Sequence, residues 1–124
     1  MPAYNFKVRF VDMVEKGIKR QTIRCRRKDD NNPRPGHLLC LYTGQRTKRC
    51  RKIGEGRCLS VEEVEIYETN TYIAGKRLVF PGDIEFARAE GFESVKEYYE
   101  FFKGEYGLPA MELLLIKWDP LRWR

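Results

Sequence analysis

The stretch at 17–24 carries the residue types best suited to chemistry. It reads Gly-Ile-Lys-Arg-Gln-Thr-Ile-Arg, a turn pattern that leads into a strand pattern. Because side chains alternate along a strand, Thr22, Arg24 and Arg26 are predicted to share one face, while the opposite face belongs to the core. That shared face would present one hydroxyl and two guanidinium groups to a ligand.

Basic residues are concentrated in the first half of the chain. Residues 1–58 hold 16 Lys and Arg against 5 Asp and Glu, whereas residues 59–124 hold 8 against 13. This asymmetry predicts one face directed at a polyanion such as RNA, with a merely solvated basic face as the alternative. The candidate nucleic-acid-binding cations are Arg20, Arg24, Arg26, Arg27, Arg46, Lys48, Arg49 and Arg51.

Unpaired bases need aromatic surfaces on which to stack. Four aromatic residues are candidates, namely Tyr42, Tyr72, Trp118 and Trp123. Tyr42 and Trp118 also fit a role in the core, because they fall in apolar strand patterns. Phosphate contacts would make the binding of single-stranded RNA steeply dependent on salt.

A metal site is not expected from the cysteines and the single histidine. The cysteines lie at positions 25, 40, 50 and 58, with no Cys-x-x-Cys pair among them. Cys25 and Cys40 are predicted to be small core residues, and reduced thiols are expected because no secretory signal is present. His37 is predicted to lie at the edge of a core strand. We therefore expect neither a metal nor an organic cofactor.

These residues must be positioned by a mixture of strands and short helices. Strand patterns are found at 4–9, 21–27, 37–43, 58–67, 71–80 and 111–118. Helix patterns are found at 10–16, at 83–90 after a predicted N-cap at Asp83, and at 94–104 with a capping box that begins at Ser94. Few parallel crossovers are available, so we expect an α+β fold built on a small, mostly antiparallel β-barrel of five to six strands.

Length and composition exclude several classes. The 124 residues favour a single domain at 1–124, with a basic insert at 44–57 and a short tail at 119–124. The aromatic content of 13% argues against disorder, and no apolar run could span a membrane. The expectation is therefore a cytoplasmic protein that does not associate with membranes.

The order of three motifs resembles the ASCH family, whose β-barrel domain is related to the PUA domain. These motifs are the stretch at 17–24, Pro-Gly-His-Leu-Leu at 35–39, and Glu-Gly-Phe at 90–92 ahead of a Ser-capped aromatic helix. The resemblance covers residues 5–118. It implies that the domain binds RNA or a nucleotide base, by analogy with the PUA domains of RNA-modifying enzymes.

A bacterial branch of that family is similar to an amidohydrolase that deacetylates N4-acetylcytidine with a Lys-x-x-Thr motif and a later Glu. Lys19 and Thr22 match the motif. The resemblance then implies Thr22 as nucleophile, Lys19 as base and Glu90 as the acid or base. Glu85 and Glu93 are nearby alternatives to Glu90.

This enzymatic alternative makes a physical demand on the lysine. A lysine amine has a pKa near 10.4, so a general base requires a depression of several units. Arg24 could then stabilise the oxyanion. The alternative for Lys19 is a solvated turn lysine, and we expect Lys19→Ala to abolish function with little loss of stability. The basic insert and the tail depart from the hydrolase branch, and a ribonuclease or a protein-interaction module are further alternatives.

Overall fold

The computed structural model describes residues 2–29 and 31–121. Ten elements follow one another in these residues: β1 (Ala3–Phe6), α1 (Val8–Glu15), β2 (Gln21–Cys25), β3 (Leu38–Thr43), β4 (Arg51–Ile66), β5 (Thr71–Ile73), β6 (Lys76–Arg77), α2 (Gly82–Glu90), α3 (Val95–Tyr106) and β7 (Ala110–Pro120). The predicted α+β class is confirmed.

The strands form one mixed sheet around the long strand β4. Strand β4 pairs along one side with β7 and along its other side with β3 and then β5. Strand β2 extends the sheet beyond β7, and β1 extends it beyond β3. The β1–β3 pair is parallel, whereas the other pairs are antiparallel. The residues described contain seven strands rather than the expected five or six.

Among the described residues, no backbone pairing joins β1 to β2. The sheet is therefore open, and the structure does not show the predicted β-barrel. Arginine side chains bridge part of this gap. Arg24 donates from Nη2 to the backbone carbonyl of Asn5 at 2.8 Å, and Arg27 donates from Nη2 to the carbonyl of Ala3 at 3.1 Å. Because these carbonyls belong to β1, two guanidinium groups of the β2 segment satisfy acceptors on a strand edge that lacks a backbone partner.

Trp118 of β7 lies in the core and is not available as a stacking surface for a base. It is 2% exposed and packs edge-on against Phe6, with ring centroids 6.0 Å apart. Gly56 of β4 gives the indole its space, since a Cβ on this residue would lie 2.4 Å from a ring atom of Trp118. The tightest packing between β4 and β7 therefore depends on the absence of a side chain at position 56.

The helices place an aromatic cluster against the sheet. Helix α1 buries Phe10, Val11 and Val14. Helix α3 begins as predicted, because the Ser94 hydroxyl accepts a hydrogen bond from the Glu97 amide at 3.1 Å. It continues past the expected end at 104 as far as Tyr106.

Four predicted boundaries were wrong. The basic insert at 44–57 shrinks to a turn at 44–50, because β4 already begins at Arg51. The strand expected at 71–80 is split into β5 and β6 around Ala74 and Gly75, whose φ values are positive. Asp83 lies inside α2, and the N-cap is Pro81.

The fourth boundary concerns the tail. Residues 119 and 120, expected in the tail, continue β7, while residues 122–124, with the candidate Trp123, lie outside the described part of the chain.

The cysteines of the structure are all free thiols. Cys40 is buried as predicted, but Cys25 is exposed, so its assignment to the core was wrong. Among residues 2–29 and 31–121, none of the helices has the length and apolar character needed to cross a membrane.

Candidate functional site

A partly open cavity of ≈ 80 Å³ brings together the four residues of the predicted cleft: Lys19, Thr22, Arg24 and Glu90. Its walls include four phenylalanines from α1, the α2–α3 connection and α3, namely Phe10, Phe92, Phe101 and Phe102. The cavity therefore has the lining composition of a small-ligand site, with apolar walls and a small group of charged and polar side chains, in a smaller volume than such sites usually have.

The end of α1 directs Lys19 into this cavity. Gly17 adopts φ 72°, which a glycine tolerates without strain, and ends the helix in the predicted left-handed turn. The amides of Ile18 and Lys19 both donate to the carbonyl of Met13, at 2.9 and 3.0 Å. This turn folds the chain back beneath the helix, and only 3% of Lys19 remains exposed.

Glu90 meets Lys19 from the end of α2. The ammonium of Lys19 donates to the backbone carbonyl of Glu90 at 2.5 Å and lies 3.7 Å from carboxylate oxygen Oε1. The other carboxylate oxygen accepts a hydrogen bond from Gln21 Nε2 at 2.7 Å. Glu90 is 2% exposed, so both charges are removed from water and compensate each other.

Glu85 and Glu93 do not share this position. Both are exposed and neither lines the cavity. Gly91 follows Glu90 with φ 105°, and its Cα packs so close to the Phe10 ring that a Cβ would lie 3.0 Å from it. The glycine after α2 thus lets the chain turn directly after Glu90, against the aromatic wall.

Thr22 and Arg24 form the second polar pair in the cavity. The hydroxyl of Thr22 accepts a hydrogen bond from Arg24 Nε at 3.0 Å, which leaves its own proton free to be donated to a ligand. The guanidinium of Arg24 also lies 4.8 Å from the ring centroid of Phe6. Arg24 is therefore held rigidly on β2, with two of its donors already committed.

Electrostatics in the cavity favour a less basic lysine. Burial lowers the pKa of Lys19 below its ordinary value, while the Glu90 carboxylate raises it and Arg24 lowers it further. The net direction is downward because desolvation is the largest influence. The burial of Lys19 also overturns its interpretation as a solvated turn lysine. The expectation that Lys19→Ala costs little stability was therefore wrong, since this change would leave the Glu90 carboxylate buried without a cation.

Most of the other predicted cations are not in the cavity and already have protein partners. Arg20 donates to the carbonyl of Gly17. Arg26 pairs with Glu63 at 2.8 Å, and Arg51 pairs with Glu15 at 2.8 Å. Arg27 donates to the carbonyl of Ala3. These four cations are therefore engaged with partners on different elements of the fold.

The β3–β4 turn at 44–50 is different. It exposes three cations, Arg46, Lys48 and Arg49, and no ion pair to them is found among the residues described. The turn is linked to the cavity, because the Gln45 amide donates to the side-chain oxygen of Asn5 at 2.9 Å and Asn5 is part of the cavity wall. Tyr42 precedes the turn and is half-buried in β3.

Three residues of the cavity mouth were missed by sequence reasoning. They are Lys7, Glu105 and Tyr106. The last two were placed beyond the predicted end of α3. The spacing of Phe102 and Tyr106, one helical turn apart, was a signal for a longer helix, and the two rings do stack with centroids 6.0 Å apart. Burial raises the pKa of Tyr106 to about 12, so its phenol stays protonated at neutral pH.

His37 lies away from this cavity. It is exposed, and its Nδ1 accepts a hydrogen bond from the Arg34 amide at 3.2 Å. Within residues 2–29 and 31–121, His, Cys, Asp and Glu form no cluster of three or more that could hold a metal ion.

Comparisons with known proteins inform the fold alone. No protein-family model matches the sequence, and a search of curated proteins gives no match. Among solved structures, the chain is similar to the crystal structure of hypothetical protein PH0355. The TM-score is 0.55 at 12% identity, over 96% of this chain and 97% of the other. At this identity the likeness supports a shared architecture that extends over nearly the whole length of both chains.

Proposed function

We propose that this chain is an ASCH-type, PUA-like domain that binds RNA and accommodates one unpaired base in the cavity. The observation that carries this proposal is the convergence of Lys19, Thr22, Arg24 and Glu90 between aromatic walls. A buried lysine–glutamate pair contributes little net stability, because desolvation offsets the attraction. A ligand that binds to Lys19 and Glu90 would account for a buried charge pair that adds little stability.

The cavity matches the chemistry of a nucleobase. A base is planar, so one of its faces can pack against the half-buried ring of Phe101, and its edge carries donors and acceptors. Thr22 can donate its hydroxyl proton, and Glu90 offers lone pairs beyond those used by Gln21. Unpaired RNA is the polymer in which such an edge is accessible.

The polymer backbone would be bound by the β3–β4 turn. Its three exposed cations lie beside the cavity wall through the contact of Gln45 with Asn5. Protein cations that displace the counterions condensed on the phosphates give affinity together with salt dependence, at a slope near 0.7 per neutralised phosphate for single strands. The turn would thus supply affinity and the cavity would supply selectivity.

Equilibrium binding of a labelled, unstructured RNA tests the two parts separately. We expect a triple variant with Gln at Arg46, Lys48 and Arg49 to reduce the slope of log K against log salt by about two. The isosteric variant Thr22→Val should weaken binding without changing that slope, because it removes a hydroxyl and no charge.

A matched triple variant controls for net charge. It replaces Lys76, Arg88 and Lys96, which are exposed cations of the second half of the chain, by Gln. It should leave the slope close to that of the wild type. Equal slopes for both triple variants, or binding that ignores salt, would contradict the proposed role of the turn.

A second candidate function is the hydrolysis of N4-acetylcytidine. The observation that favours it is the lowered pKa of Lys19, since a neutral amine is required of a general base. In this reaction Thr22 Oγ1 would attack the acetyl carbonyl and pass its proton to Lys19. The C–N bond would then break as the amino group of cytidine takes up a proton from Lys19. Water would finally release acetate from the acetyl-threonine.

Chromatographic measurement of the cytidine released from N4-acetylcytidine tests this second candidate. Thr22→Ser retains a hydroxyl and should retain activity, whereas Thr22→Val should have none. The rate should rise with pH through an apparent pKa below that of a free lysine, because only the neutral amine accepts the proton. Equal cytidine release by the wild type and Thr22→Val would refute a threonine nucleophile.

A further inference from the structure

An ion pair lies at the mouth of the cavity. Lys7, just after β1, and Glu105, near the end of α3, approach to 2.5 Å between Nζ and Oε1. Both residues line the cavity, and their side chains are 57% and 35% exposed. The pair therefore joins two different elements across the opening.

This exposed pair can be exchanged easily. Water screens both charges, and two long side chains lose conformational freedom when they are held together. The interior pair of Lys19 and Glu90 is different, because it is almost completely buried. Separating Lys7 from Glu105 would therefore cost little free energy when a ligand anion binds at the mouth.

Lys7 is also held where an anion beside the ligand would lie. Its ammonium is 5.6 Å from the ring centroid of Phe101, which is part of the aromatic wall. Arg9 also lies over rings of this wall, but it pairs with Glu97 and does not line the cavity. Arg24, which does line the cavity, already donates to Thr22 and to the carbonyl of Asn5. Lys7 is therefore the cation better able to change its partner.

We propose that Lys7 binds the phosphate of the nucleotide whose base enters the cavity, and that Glu105 occupies Lys7 until the ligand displaces it. This inference rests on the proposed function and refines it. The ligand is a nucleotide with its phosphate rather than a free nucleoside. A 5′-phosphate monoester carries more negative charge than a carboxylate and offers three acceptor oxygens, so it competes well for an ammonium group. A phosphodiester within RNA carries one negative charge and offers two such oxygens, so the 5′-monophosphates are the sharper probes.

Titration of the ¹⁵N-labelled protein with the four ribonucleosides and their 5′-monophosphates tests the proposal. Shifts of amides around the cavity report binding even when it is weak. We expect the best monophosphate to bind at least about tenfold more tightly than its nucleoside, which corresponds to about 1.4 kcal/mol. Glu105→Gln should widen this ratio about threefold or more, and Lys7→Gln should bring it close to one.

The pair of Lys16 and Asp12 on α1 provides matched controls. It is an exposed ion pair at 3.0 Å that does not line the cavity. Lys16→Gln and Asp12→Asn change the net charge by the same amounts as the two test variants. These controls should leave the preference for the phosphate as it is in the wild type.

The outcomes distinguish a failure of the phosphate contact at Lys7 from a failure of base binding in the cavity. Cavity shifts with nucleosides and monophosphates of equal affinity would overturn the role of Lys7 and leave base binding intact. The same holds if Glu105→Gln behaves like Asp12→Asn. If neither class of probe shifts any amide around the cavity, base binding itself is refuted, and the role of Lys7 with it.

Discussion

Lys19 and Glu90 set the chemistry of the cavity because each is buried and each is the other's charge partner. Their positions are separated by 71 residues, and neither is buried by its local sequence alone. The pair also explains the direction of the Lys19 pKa. Desolvation disfavours the ammonium more than the carboxylate favours it.

Lys19→Met should destabilise the protein by about 3–5 kcal/mol, because it leaves the Glu90 carboxylate buried without a cation. The double variant Lys19→Met with Glu90→Gln should recover most of this loss, since it removes both charges. The measurement is urea unfolding of the wild type, the single variant and the double variant.

The surface pair of α1 serves as a reference for this experiment. Removing Lys16 from its contact with Asp12 should cost at most about 1 kcal/mol, because both groups are solvated. A double variant that is no more stable than Lys19→Met alone would show that the buried charges are not coupled.

At the level of single residues, the four residues expected in a cleft, Lys19, Thr22, Arg24 and Glu90, line one cavity, and their roles there stay predictions. Lys19 and Thr22 lie close together in the sequence, so the turn and strand at 17–24 bring both to this cavity. The burial of Lys19 could not be predicted, since it depends on Glu90 arriving from the far end of α2. The participation of Lys7 and Glu105 depends on the same packing of distant elements.

At the level of elements, the contact between β4 and β7 depends on the lack of a side chain at Gly56. Gly56→Ala should destabilise the protein by about 1–3 kcal/mol, because its Cβ would lie 2.4 Å from the indole of Trp118. Thermal or urea unfolding measures this effect.

Gly104 offers the matched substitution in an element without such packing. It lies within α3 and a Cβ there would meet nothing within 4 Å. Gly104→Ala should therefore stabilise the protein by about 0.5–1 kcal/mol through its helix propensity. Equal effects of the two substitutions would argue against close packing at Gly56.

A local signal was sufficient at Ser94, which caps α3, but not at Asp83, which was expected to cap α2 and lies inside it. The Ser94 cap fixes the start of α3 because its hydrogen bond lies within four residues. The first residues of β4 lie in a basic segment that was not predicted to be a strand, since their pairing with β3 is a tertiary contact. The lack of backbone pairing between β1 and β2 was not predicted either, because it is side chains, those of Arg24 and Arg27, that donate to the β1 carbonyls at this edge.

At the level of the whole molecule, the buried Tyr98 and the partly exposed Tyr106 should limit stability in alkali. Burial raises the pKa of Tyr98 well above its usual range and that of Tyr106 to about 12. Both phenols bind their protons more tightly in the folded state. Their contribution to stability is therefore complete below about pH 10 and is lost as the pH rises through the folded pKa values.

Urea unfolding at increasing pH, together with the absorbance of tyrosinate, measures this loss. Tyr106→Phe keeps the ring and removes one of the titrating groups, so it should reduce the dependence of stability on pH above about pH 10. Tyrosines that all titrate with the ordinary pKa in the folded protein would contradict this prediction.

The distribution of charge over the whole molecule assigns different parts of the proposed RNA binding to the turn and to the cavity. The sequence predicted a basic first half correctly, because composition needs no structure. It could not predict that Arg26 and Arg51 are paired within the protein while the β3–β4 turn stays exposed. Under the proposed function, the net charge of +6 would supply long-range attraction to RNA and the cavity would supply selectivity.

The most direct test of base binding in the cavity is the affinity of the double variant Lys19→Met with Glu90→Gln for unstructured RNA at a fixed salt concentration. This variant removes one positive and one negative charge, so the net charge and the β3–β4 turn are unchanged. We predict at least a tenfold loss of affinity, about 1.4 kcal/mol, with the same dependence on salt. An affinity within about twofold of the wild type, in a variant shown to be folded, would contradict a role of the cavity in binding RNA.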